Sequence, residues 1–268
     1  MADFLENIGA NPGRSGHRLS IESGRIVYDC REALAELVGL TRPMNVVFTS
    51  NATEALNLAI NSVLNPGDHV VTSSLEHNSV MRPLRHLESE GIIELTVLDL
   101  TCFQNIDSLA NHIKSNTRLI VMNHVSNVTG QILPVASVGK FTSENNLVLL
   151  VDGAQSVGAL PVDMEHDQID MLAVTGHKAL MGPMGTGALL VRDHVKELLK
   201  PLKRGGTGSH SEHETQPDFL PDMCESGTLN TVGIAGLLAG INWVTERGTG
   251  AIFLDETQRI KNLINQLK

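Results

Sequence analysis

LVLLVDGA, residues 147–154, sets five consecutive apolar residues directly ahead of one carboxylate, Asp152. A strand with one wet face alternates apolar and polar positions; this run does not. It reads as a strand covered on both faces, as in a parallel sheet lying between layers of helices. Six further runs share the pattern: NVVFTS (45–50), DHVVTSS (68–74), IIELTVLDL (92–100), RLIVMNHVS (118–126), MLAVTG (171–176) and GALLVR (187–192).

Between these runs the apolar spacing changes to that of helices. ATEALNLAINSVL (52–64) ends in Asn-Pro-Gly, a stop signal. SVMRPLRHLESEG (79–91) reads as a helix with Pro83 in its first turn, and NIDSLANHIKSN (105–116) and PVASVGKFTSENN (134–146) read as two more. IESGRIVYDCREALAELVG (21–39) precedes the first strand, and two helices follow residue 230. Such alternation specifies an α/β fold: three layers, αβα, around a mostly parallel, mixed seven-stranded sheet. GGTGSHSEHETQPD (205–218) is a polar loop long enough to carry function.

The chain has 268 residues, 41% hydrophobic, with a net charge of −10. An acidic balance argues against a nucleic-acid partner. Cys30, Cys102 and Cys224 are scattered and form no C-x-x-C pair, which suits small apolar side chains in a reducing compartment. With no secretory h-region at the start and no run long enough to span a bilayer, the expected location is cytoplasmic, away from membranes.

Ligands of open α/β sheets bind beyond the carboxyl ends of the strands, so the residues there carry most information. Asn51, Ala52, Thr53 and Glu54 open a helix whose free N–H groups suit an anion, although an ordinary N-cap with an acidic first turn gives the same pattern. His77 and Asn127 follow two other runs, where a structural histidine and a turn residue are the plain alternatives. Asp152, with Gln155 one turn on, is a desolvated carboxylate in want of a positive partner. Thr175, Gly176, His177 and Lys178 follow MLAV.

Jointly, an amine, an acid, an imidazole and a helix N-terminus at neighbouring strand ends match the needs of pyridoxal phosphate. Its aldehyde takes a lysine in a Schiff base, its ring nitrogen takes a carboxylate, and its phosphate takes an anion site. Other readings fit less well. GPMGTG (182–187) lacks the Gly-Lys-Ser/Thr of a Walker A loop and leads into a strand, unlike a dinucleotide fingerprint. HSEHE (210–214) supplies no strong metal-ligand set, and no metal is expected.

Six segments, SNATEALNLAI, SLEHNSVMRPL, NHVSNVTGQILPV, VDGAQSVGALPVD, TGHKALMGPMGTGALLV and ESGTLNTVGIAGL, together resemble the class V aminotransferase superfamily, and within it the cysteine desulfurase group. The resemblance runs in order through nearly the whole chain. It implies a fold-type I pyridoxal-phosphate enzyme that takes L-cysteine to alanine and enzyme-bound sulfur. Selenocysteine lyase and aminotransferase chemistry belong to the same superfamily, and a catalytically incomplete remnant or split-protein half is a further alternative.

The resemblance also implies roles for individual residues. Lys178, Asp152 and His77 are catalytic: Lys178 bonds the cofactor, Asp152 pairs with its ring nitrogen and His77 stacks on the ring. Gln155 contacts the ring hydroxyl; Thr53, Thr175 and His177 hold the phosphate; Ala52 is a further cofactor-binding residue; and Asn127 lies near the substrate carboxylate. Thr228 reaches the cofactor of a partner subunit in a homodimer with shared active sites, and a sulfur-acceptor protein is the expected further partner. Residues 1–245 correspond to the cofactor-binding large domain, and 246–268 to a helix leading into a smaller C-terminal domain. That domain supplies the persulfide cysteine and a substrate-binding arginine in desulfurases, and neither is expected within this chain. Cys224 and Cys30 do not match the persulfide cysteine, so the chain alone is expected to turn over little cysteine.

Overall fold

A computed structural model describes residues 1–13, 16–209 and 212–267. Helices α1 (Ala2–Asn7) and α2 (Arg18–Leu37) lead into strand β1 (Val46–Thr49). Then come α3 (Ala52–Val63), β2 (His69–Ser73), α4 (Asn78–Ser89), β3 (Glu94–Leu98), α5 (Leu100–Gln104), α6 (Ile106–Ala110), β4 (Thr117–Asn123), α7 (Val135–Glu144) and β5 (Val148–Asp152). β6 (Met171–Thr175), β7 (Gly187–Val191), α8 (Thr231–Arg247) and α9 (Thr249–Leu267) complete the order.

All seven apolar runs are strands of one sheet, in the order β1-β7-β6-β5-β4-β2-β3. β7 runs antiparallel to both of its neighbours, β1 and β6, while the other pairings are parallel. The expected mostly parallel, mixed sheet is thus observed. Alternate residues of the central strands feed two separate cores. Leu149, Val151, Leu172, Val174 and Leu190 pack with α2, α7 and α8. Val148, Leu150, Met171, Ala173 and Leu189 pack with α3 and α4. Burial on both faces is why these runs do not alternate in sequence.

The same period of two aims the strand ends. Asp152 follows Leu150, and Thr175 follows Ala173, toward the α3 side of the sheet. β2 continues through α4 to β3, whereas its neighbour β4 continues through α7 to β5, in the opposite layer and direction. A crevice between such diverging strands is the usual ligand position in open α/β sheets.

Two local expectations change. Pro83 lies inside α4, beyond its first turn. The helix starts at Asn78, because the His77 side chain caps it by accepting from Ser79 N–H at 3.1 Å. The segment 105–116 holds only the five-residue α6, with α5 just before it. Asn105 ends α5 and caps α6 by accepting from the N–H groups of Asp107 and Ser108. Short turns then take over, with His112 N–H bonded to Leu109 O and Ile113 N–H to Ala110 O.

Candidate active site

α3 begins where the sequence predicts, and its start is built from three contacts. Asn51 Oδ1 accepts from Glu54 N–H at 3.0 Å, and Glu54 Oε2 accepts from Ser50 N–H at 2.7 Å. Lys203 Nζ reaches the other carboxyl oxygen of Glu54 at 2.5 Å. The N–H groups of Ala52 and Thr53 are the first two of the helix and have no acceptor within it. Gly187, the first residue of β7, lets this segment close on the sheet: a Cβ there would lie 2.7 Å from Asn51 Cα.

Lys178 stands on a short closed loop after β6. Met181 N–H bonds to Lys178 O at 3.0 Å, and Gly182 N–H to Gly176 O at 2.7 Å. Leu180 is fully buried and anchors the loop in the core beneath α8, leaving Lys178 and His177 exposed. The loop after β5, which carries Gln155, passes under this turn. Gly158 makes the approach possible: its φ is +95°, and a Cβ would meet Ala179 at 2.6 Å.

One cavity of about 210 Å³ opens between these elements. Ala52, Thr53, His77, Asn127, Asp152, Gln155, Thr175, His177 and Lys178 all line it. The nine come from the ends of β1, β2, β4, β5 and β6. Thr228 is not among them. It lines a separate cavity of about 170 Å³ with Ser50, Glu54 and Lys203. Within HSEHE, His210 and Ser211 lie outside the described residues, and the described residues contain no group of three or more side chains suited to a metal.

Hydrogen bonds tie the lining side chains into pairs. Ser79, which the sequence reading did not single out, joins two of them. Its Oγ lies 2.7 Å from Thr53 Oγ1 and 2.9 Å from His77 Nδ1. Because Ser79 N–H also donates to Nδ1, that nitrogen is an acceptor, and the proton of the neutral ring sits on Nε2. Thr175 Oγ1 lies 3.0 Å from His177 Nδ1. Asp152 accepts from Ala154 N–H at 2.9 Å. Burial raises the Asp152 carboxyl above its usual range, while that N–H, Lys178 and His77 pull it back down. Asn123, also in the lining, has a buried side-chain oxygen with no partner.

The arrangement offers an anion cradle at the start of α3, a primary amine, a buried acid beside that amine and an imidazole of defined tautomer. These donors fit an anionic, ring-shaped aldehyde carrying a basic ring nitrogen, as the sequence reading expects of pyridoxal phosphate. No helix among the described residues is long and apolar enough to cross a membrane.

Similar proteins share this architecture. The chain is 37% identical over 233 residues to cysteine desulfurase IscS of Photobacterium profundum, covering 85% of this chain and 54% of that protein. It is 35% identical over 260 residues to a probable cysteine desulfurase of Aeropyrum pernix, covering 92% and 63%. The chain therefore spans little more than half to under two thirds of these relatives' length. Among solved structures, the apo cysteine desulfurase of Thermococcus onnurineus NA1 superposes with a TM-score of 0.89 at 29% identity, covering 99% of this chain and 68% of that one. The complex of SspA with cysteine superposes with a TM-score of 0.78 at 31% identity, covering 90% and 66%. The aminotransferase class-V family matches residues 1–268, and the chain belongs to that family.

Proposed function

We propose that this chain is the pyridoxal-phosphate-binding part of a cysteine desulfurase, which converts L-cysteine to alanine and transfers its sulfur to a protein thiol. The observation that carries this reading is the convergence of Lys178, Asp152, His77 and the α3 N-terminus on one cavity, in a chain whose relatives are named cysteine desulfurases. When bound, the cofactor acts as an electron sink for the carbanion formed at the substrate α-carbon.

The residues of the chain do the rest. The Lys178 amine would hold the cofactor through its aldehyde and would serve as the base for the substrate α-proton. Asp152, whose burial raises its carboxyl while the Ala154 N–H and Lys178 oppose the rise, would face the ring nitrogen and favour a proton there. His77, its orientation set by Ser79, would stack on the ring. Thr53, Thr175 and His177 would hold the phosphate, with Ala52 beside the cofactor, while Gln155 would bond the ring hydroxyl and Asn127 would lie near the substrate carboxylate. In a homodimer, Thr228 completes the phosphate site of the partner subunit.

Residues 1–245 form the cofactor domain in this reading, and 246–268 lead out of it. α8 and α9 part at Gly248, and Ile252 is the one buried residue described in α9. Borohydride reduction in the presence of pyridoxal phosphate, followed by peptide mass mapping, tests the reading. A reduced adduct on Lys178 is expected, and an adduct elsewhere rejects it. Among the described residues no cysteine lines the cavity, and Cys30 and Cys224 are buried, which favours a graded outcome, with strong cofactor binding and little cysteine turnover by the chain alone. Robust release of sulfide from cysteine would overturn that second part.

A further inference from the structure

Behind the cavity lies a second acid with a buried carboxyl, the half-buried Glu76, in the turn between β2 and His77. Its Oε1 accepts from Ser73 Oγ and, at 2.9 Å, from the backbone N–H of Asn123. Its Oε2 is buried and has no partner. Asn123 sits opposite Asp152 in the β4–β5 register and lines the cavity. The Asn123 amide N–H donates to Leu75 O at 2.8 Å, and its Oδ1 is the second buried oxygen without a partner. A buried carboxylate oxygen without a partner is costly, and a proton on Oε2 removes its charge.

We propose that Glu76 is a positioning residue that stays protonated behind the cavity, leaving Asp152 as the ionisable carboxylate of that wall. This deepens the proposed reading of the cavity and rests on it only for the effect on the cofactor. Around Glu76 stand Ser73 from β2, Asn123 from β4 and Asp152 from β5, with His77 next along the chain. Lys178 acts on Asp152, and His124, whose N–H bonds to Asp152 O at 3.0 Å, is kept neutral by burial. Burial raises the Glu76 carboxyl to about 8, against the bonds from Ser73 and Asn123, and the negative charge of Asp152 adds to the rise. With Glu76 neutral, Asp152 meets no second negative charge behind it when it ionises against a cationic ring.

Infrared titration of the cofactor-free protein tests the proton directly. The wild type should show a protonated-carboxyl stretch at pH 7 that fades near pH 8. Glu76→Gln should lack it, and Asp152→Asn should move its loss to lower pH. Absence of the band at pH 7, its persistence in Glu76→Gln, or no movement in Asp152→Asn overturns the proposal. Visible absorbance of protein loaded with pyridoxal phosphate supplies a second readout. Glu76→Gln should keep its affinity at pH 7 within about twofold, whereas Glu76→Ala should lose about tenfold, having stripped Ser73 and Asn123 of their acceptor. Equal losses in the two variants argue against the neutral acid. A wild type that never takes up the cofactor rejects the proposed function, while the infrared band still decides the protonation of Glu76.

Discussion

Asp152 and Lys178 line one cavity, and the lysine's charge lowers the proton affinity of an acid whose burial raises it. The two residues are joined through β5 and β6, neighbouring parallel strands whose carboxyl ends share an edge. Lys178 is exposed and bonds to nothing through its side chain among the described residues, so Lys178→Ala should shift stability by no more than about 0.5 kcal/mol. The same variant should lose the borohydride-stable adduct entirely. Thermal melting and mass mapping of one sample check both.

The raised carboxyl of Asp152 sets a pH dependence of stability. Folded Asp152 keeps its proton at a pH where the unfolded chain, at about 3.9, has lost it. The folded state therefore binds more protons in that window, and stability falls as pH rises through it. Asp152→Asn removes this contribution. Relative to wild type, its melting temperature should climb as pH rises above about 4, and a flat difference would count against the raised carboxyl. The variant should also bind pyridoxal phosphate more weakly.

Ser79 links Thr53 to His77 with two contacts of its hydroxyl. Ser79→Ala should cost about 1–3 kcal/mol, since the partners of a largely buried hydroxyl lose it. Urea unfolding measures that cost. If the hydroxyl also orders the imidazole, the pH profile of cofactor loading should change in Ser79→Ala and be restored by Ser79→Thr.

Arg31 and Glu225 form a buried ion pair far apart in sequence. Nη1 and Nη2 of Arg31 reach the Glu225 carboxylate at 2.8 and 2.5 Å, and that carboxylate also accepts from Phe48 N–H at 2.6 Å. Arg31 also stacks over the Phe48 ring at 4.5 Å. The pair ties α2 and β1 to the segment carrying Thr228. Glu225→Ala leaves a buried guanidinium unpaired and should cost about 3–5 kcal/mol in urea unfolding. Arg31→Met with Glu225→Met should recover most of it.

Gly158 is required by conformation and by space. Gly158→Ala should destabilise by at least about 1 kcal/mol, because a side chain at φ +95° is strained and its Cβ meets Ala179. The displaced loop should also lower the yield of adduct on Lys178 compared with Gly130→Ala, where a Cβ meets nothing within 4 Å.

Much of the fold was legible because burial on two faces leaves a local mark. Each of the seven apolar runs is a strand, and the residues at the ends of five of them line the cavity, whereas β7 runs the other way and ends at the opposite edge. Pro83 and the 105–116 segment differ from expectation for a local reason: side-chain caps on His77 and Asn105 moved the helix boundaries, and apolar spacing does not register caps. Glu76 and Ser79 stood beside His77 in SLEHNS, yet nothing in that string says which neighbour faces the imidazole and which turns behind the sheet.

By itself, then, the sequence determined the strands, their two-sided burial and the chemical types waiting at their ends, because these follow from composition and period along a short stretch of chain. Strand order was decided only by the tertiary structure. It set β2 against β4 and β5 against β6, brought nine residues from five strand ends around one cavity and placed Thr228 in another. It also paired Arg31 with Glu225 across 194 positions. Contacts of that kind arise from the packing of whole layers, which no local pattern records.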